Sequence, residues 1–237
     1  MRGCLRPPYA CHRGSAPAAH AAFRIGQAYL WREGAEFTLI GSGDVDAAAG
    51  IEGAVRALGA DPASVRRIVL AHGHRDHTGS ARELADRYGA EVLAHRLDAS
   101  VIRGTARVPQ PVLLDWEIPL YEHARTVPRR RRPRWTGSWR TATSRGSAAE
   151  TRVVHVPGHT DGSIAVHLPR HGALFTGDAV AGVGQVMPGV FTVDRAAALA
   201  SMRRLASLAP STVCFGHGDP VTRDAAAALS AAADAAS

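Results

Sequence analysis

Positions 72–77 hold three histidines and an aspartate in the order His-Gly-His-Arg-Asp-His. In an extended loop His72 and His74, two residues apart, point to one side and can chelate a single ion, while Asp76 and His77, after a turn, can face a second. His159 in "PGHTDGS", Asp178 in "FTGD" and His217 in "GHG" add imidazole and carboxylate donors further along the chain. Such donors suit Zn²⁺ and related borderline metals, Fe or Mn included, whereas a set of thiolates would indicate a structural site. Two ions about 3.5–4 Å apart call for a bridging carboxylate. Asp178 is the natural candidate, with His159 completing the first site and His217 the second.

Side chains so distant in sequence meet only if the elements before them aim at one cleft, and each motif follows a strand-like run. "RRIVLA" (66–71) has a buried-strand pattern and leads into His72; "TRVVHV" (151–156) precedes His159; "ALFTGD" (173–178) and "TVCFGH" (212–217) end on Asp178 and His217. Upstream, "AYLW" (28–31) and "EFTLI" (36–40), separated by "REGA", predict a hairpin. Residues 47–58 have helical spacing closed by Gly59, and Ser80 is placed to cap a second helix that runs to Tyr88 with Gly89 behind it. "EVLAH" (91–95) and "SIAVHL" (163–168) read as further strands, 195–208 and the Ala-rich C-terminus as helices. This order predicts a layered α/β chain whose sheets mix hairpins and crossovers. Residues 1–24, rich in Ala, Pro, Arg and His without a period, are read as a poorly ordered extension to one domain over 25–237.

Taken in order over residues 28–222, the four motifs resemble those of the metallo-β-lactamase-fold hydrolases. The resemblance implies a four-layer αββα sandwich of two mixed β-sheets with outer helices and a dinuclear zinc site at one edge. It implies His72, His74 and His159 for one ion, Asp76, His77 and His217 for the other, and Asp178 between them. A hydroxide held between two zinc ions exists near neutral pH because the metals lower the pKa of water from 15.7 towards about 7. Asp76, the catalytic candidate, can orient that nucleophile or handle a proton. The implied activity is metal-dependent hydrolysis of a small ester, thioester, lactone or related substrate.

Asp178 stands where the best-known β-lactamases of this fold carry cysteine, which points away from antibiotics and towards the glyoxalase II and general hydrolase branch. The twenty residues after His217 are too few for the helical thioester-binding domain of glyoxalase II, and the long insertion of nucleic-acid-processing members is missing too. The expectation is a small, unspecialised hydrolase. Two departures from the pattern stand out. Gly41 replaces an aspartate that usually supports the metal loop, which is expected to loosen the site, and Asp161 replaces a common proline, which alters only a turn. His95, His123, His155, His167 and His171 are assigned ordinary structural roles, and His12 and His20 fall in the extension.

A formal charge of +7 would by itself suggest a polyanionic partner. Yet "PRRRRPRWTGSWRTATSRG" (128–146) contains seven arginines, two tryptophans and no acid, and without those arginines the balance is zero. Three readings compete for this anomalous segment, 128–150: a nucleic-acid arm with stacking Trp135 and Trp139, a solvated insertion, or a stretch in the wrong reading frame. Tryptophan has one codon, so the third can be tried on paper. With GC-rich third bases, regrouping 134–143 gives Val-Asp-Arg-Glu-Leu-Ala-Asp-Gly-Asp, similar to the acidic turn that relatives of this fold place before the strand leading to "PGH". The segment is therefore read as a linker and turn between compensating frame slips, near Pro128 and Glu150. Resequencing, or peptide mass spectrometry across 128–150, decides; a clean reading frame sinks the idea.

Three cysteines without framework spacing fit reduced thiols in a cytoplasmic protein, and no run approaches membrane-spanning length. The expected partner is a small molecule, with neither nucleic acid nor membrane; the oligomeric state is left open. A nucleic-acid-binding protein acting through the Arg-rich segment, or a catalytically impaired relative, are the alternatives.

Overall fold

The computed structural model describes residues 18–22, 26–126, 140–141 and 151–236. Strands β1 (Ala18–Ala22), β2 (Gln27–Glu33), β3 (Glu36–Ile40), β4 (Val65–Leu70), β5 (Glu91–Ala94) and β6 (Arg140–Thr141) form a six-stranded sheet in sequence order. β1 to β3 are antiparallel, and β3 to β6 run parallel. Helix α1 (Ala48–Ala57) makes the crossover from β3 to β4; the short α2 (Arg75–Thr78) and α3 (Ala81–Tyr88) make the next, to β5. Then follow α4 (Ala99–Arg103) and α5 (Ile118–Thr126).

A second, four-stranded sheet is built from β7 (Arg152–His155), β8 (Ile164–Leu168), β9 (Ala173–Phe175) and β12 (Thr212–Cys214) in the order β12-β9-β8-β7. A two-stranded ribbon, β10 (Val180–Ala181) and β11 (Met187–Pro188), follows β9. Helices α6 (Arg195–Ser207) and α7 (Ala225–Ala235) complete the chain.

Strand periodicity explains the layers. Along β2, Ala28 and Leu30 face α1 and α3 while Tyr29 and Trp31 face the other sheet; along β4, Ile68 and Leu70 go to the helices and Val69 to the sheet. From the second sheet Ile164, Val166, Leu168 and Phe175 enter the same inter-sheet core, while Ala165 and Leu174 turn to Met202, Leu205 and Leu229 of α6 and α7. Three apolar layers between four layers of structure make an αββα sandwich, with each sheet mixed.

The hairpin, both crossover helices and the later strands and helices lie where the sequence patterns put them, within a few residues. Three details differ. Ser80 does not cap α3 with its side chain; its hydroxyl donates to the Asp44 carbonyl at 2.5 Å and accepts from the Ala47 amide at 3.1 Å, tying down the loop before α1. The run to Asp178 stops being a strand at Phe175, because Gly177 takes φ 54° and opens a 3-10 turn, 177–179. Ala18–Ala22, read as part of an extension, pairs with β2. The rest of 1–24, apart from that strand, and 128–150, apart from Arg140–Thr141, lie outside the described residues.

Candidate metal centre

His72 to His77 follow β4, His159 follows β7, Asp178 follows β9 and His217 follows β12. The two sheets are sewn together at this edge: the Ile164 amide, where β8 begins, donates to the carbonyl of Ala71 at 2.8 Å, next to His72. His74 has extended backbone (φ −72°, ψ 149°) and Arg75 begins the single turn of α2, so the chain reverses between His74 and Asp76. That turn separates the two halves of the loop.

Seven side chains converge in two groups. His72, His74, His159 and Asp178 form one, and Asp76, His77 and His217 the other, the ligand atoms within each lying less than 4.8 Å apart. In the first, the three imidazole rings meet edge to face, with centroids 4.7 Å apart and interplanar angles of 86°, 89° and 82°. His159 Nε2 is 3.0 Å from His74 Nδ1, and in the second group His77 Nε2 is 3.2 Å from His217 Nε2. A tetrahedron of nitrogens about 2.0–2.1 Å from a zinc has edges of about 3.3–3.4 Å, so these spacings fit a shared cation. Asp178 touches both groups: Oδ2 is 3.7 Å from His72 and His159 and 3.3 Å from His217, and Oδ1 is 3.3 Å from His77.

Hydrogen bonding supports the same fit. Buried polar atoms normally find partners. His72 is 1% exposed, yet neither ring nitrogen has a hydrogen-bond partner, and Asp178 Oδ1 makes none either. By contrast His159 Nδ1 donates to the carbonyl of Val190 at 3.0 Å, which turns Nε2 into the cluster. Charge is distributed to match. Burial pushes the Asp178 carboxyl up, but His77 and His217 outweigh it and hold it well below the usual carboxylate range. Burial likewise opposes the ionised form of Asp76, and His77 with His217 reverses the balance. His217 is pushed up to about 11, chiefly by Asp178; burial lowers His77, but Asp178 and Asp76 lift it to about 9. Burial, joined by His77, holds His72 well below its ordinary value, and burial with His74 brings His159 to about 4. His72 and His159 thus favour the neutral form, with lone pairs to give, while the two carboxylates favour on His77 and His217 the positive charge that a bound cation would take over.

In the second group His217 and Asp76 are partly open, with side chains 31% and 22% exposed. Gly41 takes φ 74°, and a Cβ there would stand 2.9 Å from the Gln27 carbonyl, so this backbone favours glycine. Near it, the Ser42 amide and hydroxyl both donate to the carbonyl of His77, at 2.8 and 3.0 Å, and the Gly79 amide donates to Gly43. Of the histidines given structural roles, His95 and His155 stack at 4.2 Å and His171 packs against Trp31, away from the cluster. Sequence reasoning passed over two buried carboxylates beside the site, Asp98 and Glu117. Glu117 accepts from the amides of Leu114 and Phe191 and pairs with Arg195, fixing the loop that carries Val190. Its one sequence signal is an acid three residues after Leu114, an N3 position.

Residues 22–217 match the model of the metallo-beta-lactamase superfamily, and the chain belongs to that family. It is 32% identical over 152 residues to a hydroxyacylglutathione hydrolase of Cereibacter sphaeroides, covering 64% of this chain and 48% of that protein; it spans about half the length of such relatives. It is 30% identical over 205 residues to the Bacillus subtilis protein YobT, covering 80% and 82% of the two chains. Among solved structures it is similar to the metallo-beta-lactamase family protein TTHA1429 of Thermus thermophilus (TM-score 0.62, 24% identity, 89% of this chain and 72% of that one). It is also similar to TTHA1623 in a di-iron-bound form (TM-score 0.59, 26% identity, 82% and 88%).

Proposed function

We propose that this chain is a dinuclear metal-dependent hydrolase acting on a small ester, thioester or lactone. The observation that carries the reading is the convergence of five imidazoles and two carboxylates in two adjoining groups, with buried lone pairs that no protein donor satisfies. In this reading His72, His74 and His159 hold one ion, Asp76, His77 and His217 the other, and Asp178 serves both. Zinc is the expected metal; the likeness to a protein solved in a di-iron-bound form keeps iron as an alternative. When bound, such ions supply Lewis acidity and bring water towards ionisation at neutral pH.

The chain's own residues provide the rest. The imidazoles would bind as neutral groups, His77 and His217 each giving up a proton to the incoming metal, and the Val190 carbonyl fixes the tautomer of His159 with Nε2 inward. Asp76, beside His77 and His217 at 3.3 Å and partly open to solvent, is placed to orient an attacking water and accept its proton. Substrate enters on the exposed side, over His217. Hydroxyacylglutathione hydrolase as the name of relatives favours a thioester among the substrates to be tried first. Among the described residues no helix is long and apolar enough to cross a membrane. A reducing cytoplasm is the compartment proposed for it.

Metal analysis of the purified protein tests the reading: about two metals per chain, with loss on His72→Ala, and turnover within a panel of thioester, lactone and phosphodiester substrates. A metal-free chain that binds DNA in a salt-dependent way would replace it by the nucleic-acid alternative.

A further inference from the structure

We propose that Asp98 is a positioning residue for the first metal group, the carboxylate that fixes the loop carrying His72 and His74 against the loop carrying His159. The inference rests on reading that group as a metal site.

Asp98 stands immediately before α4, where an aspartate ordinarily caps the helix with its side chain. Here it makes no cap bond. The carboxylate is buried, only 4% exposed, and turned towards the metal loops. Oδ2 accepts from the Gly73 amide at 2.6 Å and from the Thr160 hydroxyl at 2.8 Å, and Oδ1 accepts from the Gly162 amide at 2.9 Å. Gly73 lies between two ligands of the first group, and Thr160 directly follows the third. One carboxylate therefore binds donors from both loops at once.

The close approach is built into the backbone. A Cβ on Gly162 would stand 2.5 Å from Asp98 Oδ1 and 2.6 Å from the Asp98 amide nitrogen, so the loop lies directly on the carboxylate and only glycine fits. The turn it belongs to is closed independently of Asp98, by the Ser163 hydroxyl accepting from the Thr160 amide at 3.0 Å. Asp98 thus locates an already formed turn and does not make it.

Support for the two halves of the 72–77 loop is divided. Ser42 holds the carbonyl of His77, and Gly43 holds the amide of Gly79, which secures the half belonging to the second group. Asp98 reaches only the half belonging to the first. Its removal should therefore loosen one site and spare the other.

The test uses the full chain, stripped with a chelator and titrated with Zn²⁺ against a chromophoric competitor, with Co²⁺ absorption to distinguish the two sites. Asp98→Asn keeps the size of the side chain but offers an amide group to backbone donors. It should weaken one site by about 10- to 100-fold, as loss of outer-shell partners does, and leave the other unchanged. If that variant fails to fold without metal, Thr160→Val carries the test: it should weaken the same site, and Thr160→Ser should restore it. A folded variant with both affinities unchanged, or one in which both sites weaken equally, overturns the proposal. A wild-type chain that takes up no metal overturns the metal-centre reading, and this inference with it.

Discussion

Gly158 to Ala is the substitution most demanding of this architecture. Gly158 precedes His159, takes φ 134° and lies against the first turn of α6, where an added Cβ would overlap the backbone nitrogen and Cα of Ala198 and stand 2.6 Å from its Cβ. An L-residue at such a φ costs about 1–3 kcal/mol. Overpacking costs about 1–3 kcal/mol more. The carbonyl of Gly158 also accepts from the amides of Val193 and Asp194 at 2.9 and 3.0 Å, so the segment cannot retreat without breaking the start of α6. The expected loss is about 2–6 kcal/mol by these two terms, a large share of the roughly 5–15 kcal/mol that holds a domain together. At about 2–4 °C per kcal/mol for a chain of this size, the melting temperature should fall by about 4–24 °C. Urea unfolding of the metal-free protein measures it. Ala198→Gly should not rescue the variant, because the backbone nitrogen and Cα of residue 198 obstruct it even without the Cβ. Gly89 supplies the control: its φ is 67° but nothing lies within 4 Å of an added Cβ, so Gly89→Ala should cost only about 1–2 kcal/mol. A Gly158→Ala protein no less stable than the Gly89→Ala one would refute the reasoning.

Other outcomes can be measured alongside. Glu117→Ala, which strips a buried carboxylate from the partly exposed Arg195 and from the Leu114 and Phe191 amides, should lower stability by about 1–3 kcal/mol in urea, the cost of leaving those donors without their partner. Glu52 is lowered from its ordinary 4.5 because Tyr88 and Arg87 outweigh the burial that raises it. Its contribution is therefore present above the unfolded value and lost as pH falls through the folded one, so the stability gap between wild type and Glu52→Gln should close on acidification. Adding Zn²⁺ to the stripped protein at about 100 times its Kd should raise stability by about 2.7 kcal/mol, seen as a higher melting temperature in calorimetry.

Most of the sandwich was legible because its strands have a simple code. β2 and β4 alternate between two apolar surroundings, and runs such as "RRIVLA" keep an apolar residue on both faces. α4 and α5 had no such signature. α5 (Ile118–Thr126) leaves Ile118 and Leu120 exposed, and Trp116 just before it is exposed as well, so no apolar stripe marks a buried face. The loop before α5 is tied by polar contacts between residues far apart in sequence, such as the Val112 amide on the Thr192 carbonyl. Pairings of that kind have no period to read.

The site divides in the same way, and the reason is chemical. A metal ligand must be a residue type of narrow choice, so the candidate ligands His72 through His217 stand out in a sequence before any geometry is known. A residue that holds a ligand loop needs only to accept a backbone N–H, which many side chains at many positions can do. Asp98 occupies a helix N-cap position and reads as a cap until its carboxylate is seen to face Gly73, Thr160 and Gly162 instead. Gly41 shows the converse. Read alone it is a lost support, yet its φ of 74° and the Gln27 carbonyl beside it suit glycine, while Ser42 and Asp98 hold the two halves of the neighbouring loop from either side. Because support can move between positions and ligation cannot, the absence of one supporting carboxylate is weak ground for calling this chain impaired; the affinity of each site for metal is the quantity that decides.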